Sequence, residues 1–101
     1  MPAARVGSAV VTGHACDAAT TIAGPGATTV LIEGVPAARL GDLTTPHLAG
    51  IPPFCSMHTM PIVGPGCPTV IVQGQPISKV GDNVDAGTIT SGATTVLVCG
   101  S

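Results

Sequence analysis

Three histidines and one cysteine are the residues of this chain whose types and spacing suit metal binding. His14 lies in the first half of the chain, and Cys55 precedes His58 by three residues, with His47 shortly before them. The Cys55-x-x-His58 spacing allows one turn to present a sulfur and a nitrogen to a single Zn²⁺. Three histidines and one cysteine make a closed four-ligand shell, as in structural zinc sites. We therefore predict one structural zinc ion bound by His14, His47, Cys55 and His58.

The other cysteines leave one alternative open. Cys16 rivals Cys55 as the sulfur ligand, although it lies only two residues after His14, a cramped spacing for two ligands of one ion. Cys67 is predicted to be a small packing residue and Cys99 a free thiol. The first residues of the chain do not resemble a secretory signal, so we expect thiols or metal ligands here instead of disulfides.

The same ligand set admits a catalytic interpretation. A small zinc hydrolase would use the three histidines, an open coordination position and a general base, for which Asp17 and Asp85 are the only candidates in these segments. A Cys55 thiolate fits a closed shell better than an open one. We therefore predict no catalytic residues and no enzymatic activity.

An internal repeat must supply the elements that position these ligands. Residues 26–34, 66–74 and 92–100 are runs rich in β-branched residues between glycines, which is typical of strands between turns. The first two runs continue through tight turns at Gly34 and Gly74 into a second strand, so each repeat is predicted to be a β-hairpin. With 14 Gly, 10 Pro, one Phe and no Trp or Tyr, the composition predicts an all-β domain with a thin core.

The third hairpin is divided between the two ends of the chain. Its first strand runs to the last residue, and its missing second half matches residues 2–8. We therefore expect the termini to be adjacent, with residues 3–6 paired to residues 95–98 and with pseudo-threefold symmetry among the hairpins. This closure also leaves no hairpin as an unpaired edge. The unequal connections 9–25, 43–65 and 83–91 then meet at one end, where the ligands lie.

All the basic residues of the chain, Arg5, Arg39 and Lys79, fall at one repeat position. They are expected either to form local ion pairs with carboxylates such as Asp42 and Asp82, or to contact a partner with threefold symmetry. Three basic residues and a net charge of -2 argue against nucleic acid as a partner. Only 8% of the residues are charged, which indicates a surface that is covered in use.

The three segments that end in these basic residues carry a family motif. Residues 2–5 and 36–39 both read Pro-Ala-Ala-Arg, and residues 76–79 are a diverged copy, Pro-Ile-Ser-Lys. The sequence resembles the PAAR-repeat proteins over its whole length. The resemblance implies a small cone of three hairpin-derived sheets, with a zinc ion near the apex held by three histidines and one cysteine.

The resemblance also implies a function. PAAR-repeat proteins sit on the blunt end of a trimeric VgrG-like spike and sharpen it, so the chain is expected to be a structural, membrane-piercing tip of a contractile injection machine. Type VI secretion and phage-tail-like particles are both such machines. The expected stoichiometry is one copy per spike trimer, with transient contact to a target membrane and no nucleic acid. The alternative functions are an adaptor that loads effector cargo on the spike and the zinc hydrolase described above.

Domain organisation and localisation follow from the same resemblance. Residues 1–101 are expected to form a single PAAR-repeat domain with no fused effector extension. The protein should be cytoplasmic until assembly and then lie at the tip of the injected spike, secreted without a signal peptide. Two departures from the family pattern stand out: Ser8 replaces the aspartate of the other copies, and the third connection contains no cysteine, although some relatives have one there.

Overall fold

Strands and turns make up the described part of the chain, residues 1–99, in this computed structural model, which confirms the all-β prediction. The strands are β1 (Pro2–Ala3), β2 (Ala9–Val11), β3 (Ala19–Gly24), β4 (Ala27–Ile32), β5 (Val35–Ala37), β6 (Leu43–Thr44), β7 (His47–Ile51), β8 (Phe54–His58), β9 (Ile62–Gly64), β10 (Cys67–Val72), β11 (Gln75–Ile77), β12 (Asn83–Val84), β13 (Gly87–Ile89) and β14 (Ala93–Leu97). These residues include no helix long and apolar enough to cross a bilayer.

Two of the predicted hairpins are confirmed directly. Strand β4 pairs with β5, and β10 pairs with β11, both antiparallel. Their turns are Glu33–Gly34 (φ 52° and 82°) and Gln73–Gly74 (φ 46° and 84°). Two consecutive residues with positive φ are the mark of a type I′ turn, whose twist matches that of the flanking strands.

The ends of the chain complete the third hairpin, as predicted. Strand β1 pairs with β14, with Pro2 opposite Leu97 and Ala3 opposite Ala93. The backbone N–H of Val98 donates to the carbonyl of Met1 at 2.8 Å. The predicted register is only partly right, because the chain leaves this hairpin after Ala3. Residues 5 and 6 instead contact residues 36 and 37 of the first repeat.

The three Pro-Ala-Ala-Arg-like segments form a closed ring of backbone hydrogen bonds. Ala4 N–H donates to Ser78 O (2.9 Å), Ser78 N–H to Ala38 O (3.0 Å), and Ala38 N–H to Ala4 O (3.1 Å). All three side chains are fully buried. A second cycle of bonds surrounds this ring: Val6 N–H to Pro36 O, Leu40 N–H to Pro76 O, and Val80 N–H to Pro2 O. Donation runs in one sense around the ring and in the opposite sense around the second cycle. Pseudo-threefold symmetry of the whole fold stays a prediction.

A six-stranded sheet continues from the ring on one side. Its order is β6-β3-β2-β13-β12-β9, and a bridge between Leu43 and Pro61 joins its two ends into a nearly closed barrel. The thin core is divided between two small clusters, not one. One lies among the hairpins and the other inside the sheet, where it includes Val10, Ile22 and Ile89.

Two disulfides correct the predictions for the cysteines. Cys16 is bonded to Cys55 and Cys67 to Cys99, with Cα–Cα distances of 6.1 and 5.7 Å, and no cysteine among the described residues is free. Both distances are normal for disulfides. Cys67 is therefore more than a packing residue, and Cys99 is not a free thiol.

The Cys67–Cys99 bond has a structural counterpart in the other hairpins. Glu33 occupies the repeat position of Cys99, and its carboxylate accepts the Thr95 hydroxyl of the third hairpin at 2.6 Å. Gln73 occupies the same position in the second repeat, and its side-chain oxygen accepts the N–H of Thr29 of the first. Each hairpin turn thus reaches the neighbouring hairpin, and Cys99 does so with a covalent bond.

Deleting residues 1–8 should unfold the protein. The deletion removes one of the three members of the ring and one strand of a hairpin, a large loss for a domain whose total stability is about 5–15 kcal/mol. Circular dichroism and thermal unfolding measure the result. A circular permutant that keeps every residue and opens the chain at the exposed Pro52–Pro53 turn is the matched control and should fold. An unchanged melting temperature after the deletion would contradict closure by the N-terminus.

Removing the Cys67–Cys99 bond should lower the free energy of unfolding by about 3–4 kcal/mol, because the bond closes a loop with a sequence separation of 32 residues. The variant combines Cys99→Ser with Cys67→Ala, since the sister repeats carry Ala27 and Ala93 at that position. Denaturant unfolding under non-reducing conditions measures the difference. If the oxidised wild-type protein and the variant share one midpoint, the pairing is wrong.

Candidate metal centre

The three histidines of the chain converge on one carboxylate, that of Asp85. His14 Nε2 lies 2.8 Å from Asp85 Oδ1, while His47 Nε2 and His58 Nε2 lie 2.7 and 2.9 Å from Oδ2. The Nε2 atoms of His47 and His58 are 2.8 Å apart. Three imidazole nitrogens and a carboxylate therefore point at a common centre.

The centre is largely shielded from solvent. His47 is buried, and the side chains of Asp85, His14 and His58 are 6%, 17% and 28% exposed. Burial raises the pKa of Asp85, but hydrogen bonds from the three imidazoles outweigh burial, so that the pKa lies below its ordinary value. The carboxylate is thus ionised at neutral pH and supplies negative charge to the cluster.

The donor set fits a metal ion. One ligand atom from each of the four residues lies within 4.8 Å of all the others. Imidazole nitrogen and carboxylate oxygen are both zinc ligands. A tetrahedral shell with bonds of about 2.0–2.1 Å needs ligand atoms about 3.3 Å apart. The atoms that lie 2.7–2.9 Å apart here must therefore separate slightly to hold the ion. His47 Nδ1 lies 3.0 Å from the carbonyl of Thr45. A hydrogen bond there keeps a proton on Nδ1, so Nε2 can give up its own proton and serve as the ligand when a metal ion replaces its hydrogen bond to Asp85.

Close contact between two connections brings His14 to Asp85. Gly13 has φ +81°, and a Cβ there would collide with the backbone and side chain of Ala86. The N–H of Ala86 donates to the carbonyl of Thr12 at 3.1 Å. The glycine before His14 thus lets the β2–β3 connection approach the β12–β13 turn, in which Asp85 lies.

The β7–β8 hairpin supplies the other two histidines. His47 and His58 are directly opposed across its two strands, so that one pair at the base of the hairpin places both rings on the same side. The β2–β3 connection is fixed to this hairpin in two ways. The carboxylate of Asp17 accepts the N–H of Leu48 at 2.8 Å, and Cys16 is bonded to Cys55.

The prediction of Cys55 as the fourth ligand is corrected by this geometry, and so is the alternative of Cys16. The two sulfur atoms are bonded to each other, and neither residue belongs to the cluster, whose fourth member is Asp85. The structure brings together His14, His47 and His58 as expected, while binding of zinc to them stays a prediction.

Asp85 was detectable in the sequence as a member of the third connection. The first connection carries His14 and the second carries His47 and His58, and the three connections were expected to meet at one end. If each connection contributes to one metal shell, the third connection must also supply a ligand. Asp85 is one of two carboxylates in residues 82–87, and its φ of +58° places it at the tip of the turn.

The basic residues considered as partner contacts are engaged within the chain. The ion pairs are Arg5–Glu33 (3.5 Å), Arg39–Asp42 (3.5 Å) and Lys79–Asp82 (2.6 Å). Local pairing with Asp42 and Asp82 is confirmed for Arg39 and Lys79. Arg5 has Ser8 in place of the aspartate and pairs with a residue of the neighbouring hairpin turn.

Comparison with protein families gives one finding. A family model described as the PAAR motif matches residues 1–46, a span that contains both complete Pro-Ala-Ala-Arg segments. A comparison with curated proteins finds no significant match.

Asp85 should be required for metal binding, and the cysteines should not. We expect Asp85→Ala to weaken zinc binding by more than about tenfold, since loss of even an outer partner of a ligand costs 10–100-fold. The double variant Cys16→Ser, Cys55→Ser should still bind one equivalent of zinc. Elemental analysis of protein purified without chelator and competition with a zinc indicator give both values. Zinc lost in the cysteine variant but retained in Asp85→Ala would reverse the assignment.

Acid should release the metal. A proton competes with the metal for Nε2 of each histidine, so bound zinc should fall as the pH is lowered from 7 to 4. Zinc retention measured by rapid desalting across this range tests the expectation, with His58→Ala as the comparison that loses metal at higher pH. Equal retention at pH 4 and pH 7 would contradict histidine ligation.

Proposed function

We propose, on the premise that this chain is a PAAR-repeat protein, that it is the non-enzymatic tip that caps and sharpens the trimeric VgrG-like spike of a contractile injection machine. The closed ring of three Pro-Ala-Ala-Arg-like segments carries the proposal. A single polypeptide with three like segments around one centre can meet all three chains of a trimer at once. One copy per spike trimer is the resulting stoichiometry.

Apolar side chains at equivalent positions of the three hairpins favour this partner. Leu31, Ile71 and Leu97 occupy the same position in their repeats, and they are 60%, 56% and 59% exposed. A single exposed apolar side chain is ordinary on a protein surface, but its recurrence at one repeat position gives each hairpin the same apolar contact. Three such residues in cyclic order suit a partner with three identical chains. Arg5, Arg39 and Lys79 form ion pairs within the chain. Contact of these residues with the spike stays a prediction.

The β7–β8 hairpin suits transient contact with a target membrane. Residues 47–58 contain no Asp, Glu, Lys or Arg. Ile51 and Met57 are 73% and 64% exposed, and Phe54, the one aromatic residue of the chain, is 84% exposed. An apolar hairpin end can enter the lipid interface without desolvating a fixed charge. The hairpin begins and ends at the histidines of the metal centre, so metal and the Cys16–Cys55 bond would hold it rigidly.

Two features of the centre favour a structural role over hydrolysis. Asp85, one of the two candidate bases, is a member of the ligand cluster. The other, Asp17, accepts the backbone N–H of Leu48 and serves to hold the hairpin.

Disulfides are stable in oxidising surroundings, which suits a tip that leaves the reducing cytoplasm when the spike is fired.

The proposal predicts a complex of one chain with three spike chains, observable by native mass spectrometry of the chain mixed with its VgrG-like trimer. The triple variant Leu31→Asp, Ile71→Asp, Leu97→Asp should weaken this complex by more than about tenfold, since it places charges in an apolar contact. The variant Ile51→Asp, Phe54→Asp is the control: it adds charge to the other apolar surface and should bind the spike normally. A three-to-three complex, or equal binding by the triple variant, would overturn the proposal.

A further inference from the structure

A small cavity lies beside the ring at the third repeat. Its volume is about 160 Å³, and its lining residues are Arg5, Val6, Gly7, Ser8, Ser91 and Gly92. The cavity lies at the position where the N-terminal segment meets the end of the β13–β14 connection.

In the two other repeats an aspartate caps the basic residue. Asp42 Oδ2 accepts the backbone N–H of Arg39 at 2.7 Å, while its other oxygen lies 3.5 Å from the guanidinium. Asp82 repeats the arrangement with Lys79, at 2.9 Å to the backbone N–H and 2.6 Å to the ammonium. Each carboxylate thus uses one oxygen for the backbone and the other for the cation.

Ser8 reproduces only half of this arrangement. Its hydroxyl accepts the backbone N–H of Arg5 at 3.0 Å, as the first carboxylate oxygen does in the sister repeats. It has no second oxygen for the Arg5 guanidinium. The third repeat therefore has the cation and the backbone bond of its sisters and lacks one anionic acceptor.

A second replacement lies at the same cavity. The sister repeats have Pro25 and Pro65 where this repeat has Ser91, whose hydroxyl accepts the N–H of Ala9 at 2.8 Å. Two serines thus line the cavity at two positions where both other copies carry different residues. Within residues 1–99 neither serine donates its hydroxyl proton to a protein acceptor, so both protons are available to a ligand.

The Arg5 guanidinium remains available as a third donor group. Its ion pair with Glu33 spans 3.5 Å between side chains that are 32% and 29% exposed, so it is weak. Glu33 is also held by the hydroxyl and the N–H of Thr95. A guanidinium has five N–H donors, and one such pair leaves most of them unused.

We propose that this cavity is a binding site for a carboxylate group presented by another molecule. The ligand takes the place of the missing aspartate oxygen, accepting from Arg5 and from the hydroxyls of Ser8 and Ser91. Guanidinium and carboxylate match in shape and charge, which favours a carboxylate over a neutral ligand. The site depends on neither the metal centre nor the spike, so it stands apart from the proposed function.

Acetate is the probe that tests the site. Acetate replaces chloride at constant ionic strength around the ¹⁵N-labelled, zinc-loaded protein, and amide chemical shifts are followed by NMR. We expect saturable shifts at Ser8, Ser91 and Gly92. Ser8→Asp supplies the missing oxygen from within the chain and should weaken acetate binding by at least about tenfold, since a fixed carboxylate fills the site and repels another.

Two serine variants separate the site from general effects of acetate. Ser91→Ala should weaken binding roughly fivefold through the loss of one donor. Ser56→Ala, at an exposed serine of β8, should leave binding unchanged. Shifts that grow linearly without saturation, or saturable shifts of undiminished affinity in Ser8→Asp, would overturn the proposal.

Discussion

The ring of backbone hydrogen bonds among Ala4, Ala38 and Ser78 is the constraint on which the rest of the structure depends. It accounts for each position of the Pro-Ala-Ala-Arg motif. The proline carbonyl accepts a bond from the preceding segment in cyclic order, and the first alanine packs in the hairpin core. The second alanine lies in the ring, where a larger side chain would force the three backbones apart. The basic residue leaves the ring and meets a carboxylate.

The metal centre is a consequence of the same ring. Each member of the ring leads into a connection, and strands from all three connections form the six-stranded sheet, so that their tips can meet. His14 comes from the first, the pair His47 and His58 from the second, and Asp85 from the third. A core divided into two clusters of small side chains buries little apolar surface. A metal ion held by ligands from distant parts of the chain would compensate, because metal-binding free energy adds to folding free energy.

The internal repeat made the hairpins, their turns and the closure by the termini predictable, because each residue could be compared with the residue at the same position of the other repeats. It could not identify contacts between unlike positions. Cys16 and Cys55 lie in connections that have no counterpart in the repeat, and Cys67 pairs with a turn residue, Cys99, of another hairpin. Asp85 was considered only as a candidate base and not as a ligand, for a chemical reason: a carboxylate in a loop is ordinary, whereas a cysteine near two histidines resembles a zinc ligand.

The positions that depart from the repeat make the three segments around the ring different from one another. Three identical segments would offer a trimeric partner three equivalent orientations with nothing to choose between them. Here one hairpin turn is joined by a disulfide, one connection extends into the long β7–β8 hairpin, and one aspartate has become Ser8. None of these changes touches the backbone bonds of the ring, which need only small side chains and free carbonyls. The ring therefore tolerates different side chains in each of the three segments that leave it. A single chain can thus present a different surface at each segment.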